Sequence, residues 1–137
     1  MPFVETRSQS TQVALRALAP LALMALIFVL SAQPDLDSGL GTLDLILRKV
    51  AHALEYALLT VAWAWALRPA TRLSVALAAA IALAYAVSDE YHQTFVSGRT
   101  GTATDVLVDA VGVGLAVAAL RYHRRVRSAV IGTGSQG

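Results

Sequence analysis

The sequence contains no cysteine among its 137 residues. This absence excludes disulfide bonds, thiolate metal sites and cysteine nucleophiles, so a metal bound here would need His, Asp or Glu ligands. Charged residues are also scarce, at 15% against about 25% in soluble domains. With hydrophobic residues at 56%, the composition indicates a membrane protein. The length allows one domain, and at a formal net charge of only +2 we expect a lipid bilayer, not nucleic acid, as its partner.

Four apolar runs predict an all-α, integral membrane four-helix bundle. About 20 apolar residues cross a hydrocarbon core, and the predicted helices cover about 13–32, 49–67, 72–91 and 105–121. Residues 13–121 then form the transmembrane domain, after an exposed polar leader at 1–12 and before a basic, then Gly/Ser-rich tail at 122–137. We expect the end of the tail to be disordered, and the loop at 33–48 to hold three solvated aspartates, Asp35, Asp37 and Asp44.

The first run has a competing interpretation as a cleaved signal peptide, because Arg7 and Arg16 precede an apolar stretch that ends in Ser31 and Ala32. The residue three before such a cut would be Leu30, which is not small. This favours a retained helix.

Basic residues predict the orientation of the bundle. If the helices alternate in direction, one side holds most of the cations, and the positive-inside rule places that side in the cytoplasm. Both termini are then cytoplasmic, and the chain is a multi-pass protein of the cytoplasmic (inner) cell membrane. The cations of that side are Arg7, Arg16, Arg68, Arg72, Arg121, Arg124, Arg125 and Arg127, and those of the other side are Arg48, Lys49 and Arg99.

Polar residues cluster at the outer ends of three predicted helices. Ionisable groups in membrane helices face a bundle interior or a polar cavity, so we expect an outward-facing pocket. Residues three or four apart share a helical face: Lys49, His52 and Glu55 or Tyr56 form one such set. Asp89, His92 and Gln93 form another, from which Glu90 points away. Arg99 in the following loop, and Asp105 and Asp109 in the fourth helix, complete the cluster.

Two kinds of chemistry use the histidines. Either His52 or His92 could act as a general base, oriented by Glu55 or Asp89, in a membrane enzyme. Alternatively His52, Glu55, His92 and two aspartates could hold a divalent metal ion such as zinc, manganese or magnesium. A His–Glu pair three residues apart is also typical of a structural hydrogen bond between helices.

A third chemistry uses the cations. Lys49 and Arg99, with backbone N–H groups of Gly98–Gly101, suit the phosphate of a lipid head group. The remaining residues would line the ligand-binding pocket: Tyr56, Glu90, Gln93, Asp105 and Asp109.

The two aspartates also have structural interpretations. Asp105 suits an N-cap, and Asp109 suits either a first-turn acid favoured by the helix dipole or a buried pair with Arg99 or Lys49.

Taken together, these motifs resemble the VanZ-like family of small bacterial membrane proteins. They are Lys49 to His52 with Glu55 and Tyr56, Ser88 to Gln93, Arg99, Asp105, and Asp109 to Gly112. Ser31 to Pro34, which read SAQP, are also similar to the family, and the resemblance covers roughly residues 20–120. The chain departs from it at Ser97, where family members often have proline.

The resemblance implies a four-helix integral membrane protein, and the family's namesake is linked to teicoplanin resistance. Our first hypothesis is a cell-envelope protein that binds a polyprenyl phosphate, a phospholipid head group or a glycopeptide-related ligand. The alternatives are a membrane hydrolase or transferase that acts on a lipid-linked phosphate, and a scaffold in which the cluster is a buried structural network.

Overall fold

The structure is a computed structural model that describes residues 3–34, 41–69 and 71–133. Over these ranges the chain forms four α-helices and no strand: α1 Phe3–Ser31, α2 Thr42–Ala66, α3 Arg72–Gln93 and α4 Ala103–Thr133. This confirms the predicted all-α, four-helix class. Asp35, Asp37 and the Gly/Ser end at 134–137, for which we expected a solvated loop and disorder, lie outside the described residues.

Three helices extend beyond their predicted bounds. Most of the predicted leader belongs to α1, which begins at Phe3, and α4 continues through the basic tail to Thr133. α2 begins at Thr42, directly after Gly41, whose φ is 54°. No glycine or proline interrupts residues 42–48, so nothing in that stretch ends a helix. The prediction of a loop up to residue 48 was wrong for this reason.

Asp44 is therefore not a loop residue. It lies in the first turn of α2, where the helix dipole favours a carboxylate. Its Oδ2 accepts a hydrogen bond from Nε of Arg48, one turn later, at 2.7 Å.

Three helices of the described chain are long and apolar enough to cross a membrane. They cover Ser10–Ser31, Arg72–Gln93 and Ala103–Val130. α2 has 25 residues and a length of about 37 Å, but it carries Lys49, His52 and Glu55 along one face. α2 packs against all three other helices, which keeps its polar face away from lipid.

Small residues bring the helices close together. Ala78, Ala82 and Ala86, spaced by four along α3, are fully buried. Ala82 and Ala86 pack with Tyr56 and Leu59 of α2 in one core cluster, and Ala78 packs with Ala64 of α2 in the other. Small side chains at such interfaces allow close backbone approach in membranes. Large apolar side chains such as Leu26, Leu58 and Leu115 point outward, about half-exposed or more, as suits a lipid-facing surface.

The closest approach joins α2 to α4 at Gly112. A Cβ on Gly112 would overlap the backbone carbonyl of Ala53. Gly114, one half-turn further along α4, faces open space.

We expect Gly112→Ala to destabilise the bundle by about 1–3 kcal/mol, because the added methyl group forces two backbones apart. Thermal unfolding in detergent, followed by loss of the monodisperse peak in size-exclusion chromatography, measures this. Gly114→Ala is the matched control and should not lower the melting temperature. Equal effects of the two substitutions would contradict the helix contact.

The two ends of the bundle differ in charge. Arg72, Arg121, Arg124, Arg125 and Ser128 line a cavity of about 550 Å³ at the end where α3 begins and α4 ends. The opposite end carries the acidic residues described below. The positive-inside rule predicts membrane orientation from this kind of asymmetry in basic residues.

Cysteine labelling tests the expected orientation, and the natural chain contributes no background thiol. In intact cells, a membrane-impermeant maleimide should label Ser97→Cys, in the loop after α3. It should label Ser128→Cys only after permeabilisation, because that position lies at the basic end, which the positive-inside rule predicts to be cytoplasmic. The reverse pattern would overturn the orientation.

Candidate functional site

A pocket of about 420 Å³ lies at the acidic end of the bundle. The start of α2, the end of α3, the loop at 94–102 and the start of α4 form its walls. Of the predicted site residues, the pocket is lined by Lys49, His52, Glu90, Gln93, Arg99, Asp105 and Asp109. Glu55, Tyr56, Asp89 and His92 do not line it.

One ion pair closes the side of the pocket between α2 and α4. Nζ of Lys49 donates to Oδ1 of Asp105. The other oxygen of Asp105 accepts a hydrogen bond from the Thr102 hydroxyl at 2.6 Å. Lys49 is thus paired with Asp105 and not, as one interpretation had it, with Asp109.

Thr102 is the residue that sequence reasoning missed. Its Oγ1 accepts a hydrogen bond from the backbone N–H of Asp105 at 3.3 Å, so Thr102 caps α4 and Asp105 does not. Thr102 and Asp105 have the spacing of a capping box, in which a hydroxyl residue precedes an acid by three positions. That spacing, just before an apolar run, was the signal that could have identified it.

The capping residue also ties α4 to α3. The backbone N–H of Thr102 donates to Oε2 of Glu90 at 3.2 Å. Beside it, a Cβ on Gly101 would overlap the backbone carbonyl of Glu90, so the loop lies directly against the end of α3. Glu90, 5% exposed, is thereby fixed in the lining of the pocket.

The floor of the pocket is formed by His52, Glu90 and Asp109. One ring nitrogen of His52 and one carboxylate oxygen from each acid lie within 4.8 Å of one another. Nδ1 of His52 is 3.6 Å from Oδ1 of Asp109. Asp109 is fully buried, yet neither of its carboxylate oxygens has a hydrogen-bond partner among the described residues.

Arg99 reaches the pocket from the loop. The backbone N–H of Arg99 donates to the carbonyl of Val96 at 3.1 Å, and Gly98 takes the left-handed conformation, with a φ of 78°, that this turn requires. The side-chain Nε of Arg99 is buried and has no hydrogen-bond partner within the ranges that the structure describes.

Asp89 belongs to a second polar group, which faces α1. Its Oδ2 accepts hydrogen bonds from Oγ of Ser31 at 2.7 Å and from Nε2 of Gln93 at 3.1 Å. The Tyr56 hydroxyl is buried and forms no hydrogen bond with any described residue. Ser31 opens the SAQP stretch, so this contact explains why a polar residue ends the first apolar helix.

His92 also lies on the α1 side. Its ring stacks on Phe28, with ring centroids 4.4 Å apart. Asp89 and Glu90 diverge because adjacent helical residues are about 100° apart. The structure therefore separates His92 and Asp89 from the pocket and brings Glu90 into it.

These features define a helical membrane protein with a compact set of ionisable side chains at one end of its bundle. Residues 1–124 match the VanZ/LLP1 family. Because the match spans most of the chain, the protein belongs to this family, which confirms the resemblance seen in the sequence. No curated protein and no solved structure matches it.

The hydrogen bond from Ser31 to Asp89 predicts a stability effect on the packing of α1. We expect Ser31→Ala to lower the free energy of unfolding by about 0.5–2 kcal/mol, the range for hydrogen bonds between membrane helices. Reversible unfolding in mixed micelles measures the change. Ser88→Ala, an exposed serine on α3, is the control. An equal loss in both variants would contradict the predicted role of Ser31.

Proposed function

We propose that this VanZ/LLP1 family protein binds a phosphate-bearing lipid head group in its pocket, on the outer side of the cell membrane. The lipid classes we favour are polyprenyl phosphates and anionic phospholipids. A cell-wall or glycopeptide-related ligand that presents a phosphate would bind through the same groups.

The observation that carries the proposal is the side chain of Arg99. Its Nε is buried beside the pocket without a hydrogen-bond partner in the described chain. A buried donor left without a partner is costly, and a guanidinium matches the oxygens of a phosphate. Arg48 and Lys49 add positive charge to the same pocket, although each is held by an aspartate.

The pocket is also suitably placed for a lipid. It lies at the end of helices whose outward faces are apolar, so the acyl chains of a bound lipid can remain in the bilayer while the head group enters between α2, α3 and α4. Thr100, Thr102 and Thr104 supply hydroxyl groups to the lining.

One observation favours a catalytic role as a second candidate. His52 lies 3.6 Å from the buried carboxylate of Asp109, which is the arrangement of a base with an orienting acid. An enzyme that acts on a lipid-linked phosphate would then use His52 and Asp109, rather than His92 and Asp89, which face α1. Turnover of the bound lipid, lost in His52→Ala, would establish this activity.

The proposed binding is tested by native mass spectrometry of the purified full chain in detergent. Polyprenyl phosphate should bind and the matched polyprenol, which lacks the phosphate, should not. For phospholipids, phosphatidylglycerol should bind and diacylglycerol, which lacks the phosphate, should not. Comparing the two pairs shows whether the pocket prefers a polyprenyl phosphate or an anionic phospholipid. Loss of one charge-assisted contact in Arg99→Ala should weaken binding by about ten- to a hundredfold.

Arg68→Ala is the control for that experiment, because Arg68 is exposed at the other end of the bundle. It should bind as the wild type does. Wild-type protein that binds polyprenol as well as polyprenyl phosphate, or an Arg99→Ala variant of unchanged affinity, would contradict the proposal.

A further inference from the structure

We infer that His52, Glu90 and Asp109 bind one divalent transition-metal ion at the floor of the pocket. The three residues come from three different helices, α2, α3 and α4. Each offers one ligand atom, and these atoms lie within 4.8 Å of one another. The site is distinct from the phosphate-binding cations and stands whether or not the pocket binds a lipid.

A bound ion would hold the ligand atoms closer together than the structure does. Two tetrahedral ligands at about 2.1 Å from zinc are about 3.4 Å apart, whereas the three ligand atoms lie within 4.8 Å of one another. Metal binding therefore requires the ligand atoms to approach one another by up to about 1.4 Å, through rotation of the side chains. Three protein ligands leave coordination positions open for water or for an oxygen of a bound molecule.

Asp109 gives the independent evidence for a ligand. Its carboxylate is fully buried, and throughout residues 3–34, 41–69 and 71–133 neither oxygen has a hydrogen-bond partner. Buried charges in proteins are paired or coordinate metals. Lys49, the only lysine of the sequence, is engaged with Asp105, and Nδ1 of His52 lies 3.6 Å from Oδ1 of Asp109. A metal ion would neutralise the charge of the Asp109 carboxylate and would coordinate a ring nitrogen of His52.

The ligand types select the ion. Imidazole suits zinc and its neighbours among the transition metals, whereas magnesium and calcium prefer oxygen ligands alone. One nitrogen with two carboxylates fits Zn²⁺ or Mn²⁺ better than Mg²⁺. Glu55 and His92, which the sequence suggested as ligands, are not part of this set; Glu90 replaces them because it shares the pocket with His52.

The test uses the metal alone, on the full chain purified in a phosphate-free maltoside detergent and stripped with EDTA. Mn²⁺ titration followed by electron paramagnetic resonance should show one tight equivalent per chain, displaced by Zn²⁺ and not by equimolar Mg²⁺. Echo modulation from ¹⁴N should identify the imidazole ligand in the wild-type spectrum. Asp109→Asn and Glu90→Gln should each weaken Mn²⁺ binding at least tenfold.

Asp44→Asn is the matched control, since Asp44 is an acid at the same end of α2 but is paired with Arg48. It should bind Mn²⁺ as the wild type does. Wild-type protein without a tight equivalent, or bound Mn²⁺ without ¹⁴N modulation, would overturn the inference even if a variant failed to fold. Equal weakening in Asp44→Asn would also overturn it. The experiment measures metal binding without any lipid ligand, so its result does not depend on whether the pocket binds a lipid phosphate.

Discussion

A buried carboxylate without a hydrogen bond is the constraint around which this bundle is arranged. Asp109 is fully buried where α2, α3 and α4 meet, and ionisable groups in membrane segments are costly unless they face a polar cavity or a partner. The surrounding contacts fix that cavity: Lys49 holds Asp105, and Thr102 holds Glu90. A fold that maintains such a group is more consistent with a ligand site than with a network that satisfies itself.

The end of α3 serves two purposes with adjacent residues. Asp89 faces α1 and accepts a hydrogen bond from Ser31, whereas Glu90 faces the pocket. Because the two side chains leave the helix in different directions, α1 can be held by one carboxylate while the neighbouring one remains available to a ligand. Substitutions on the α1 side are therefore expected to act on stability, and those on the pocket side on binding. Gln93, which contacts Asp89 and also lines the pocket, connects the two groups.

The sequence was sufficient for the number of helices and for most residues of the polar cluster, since apolar length and the cost of intramembrane charge are local properties. α3 runs from Arg72 to Gln93, close to the predicted 72–91. The sequence could not predict which face of each helix packs against which neighbour, because that depends on how the helices are rotated in the bundle. His92 was therefore assigned to the pocket although it stacks on Phe28. Thr102, by contrast, has the capping spacing to Asp105 that a sequence can show.

The central claim is that Asp109 is retained for a ligand and not for the fold. The most direct test is the free energy of unfolding of Asp109→Asn and wild type, compared in metal-free detergent. Asparagine keeps the shape of the side chain and removes its charge. The account predicts that the variant is at least as stable as the wild type, because the wild type alone buries a carboxylate that accepts no hydrogen bond from any described residue. A loss of about 1–3 kcal/mol, the cost of breaking a buried polar contact, would show instead that Asp109 is part of a structural network.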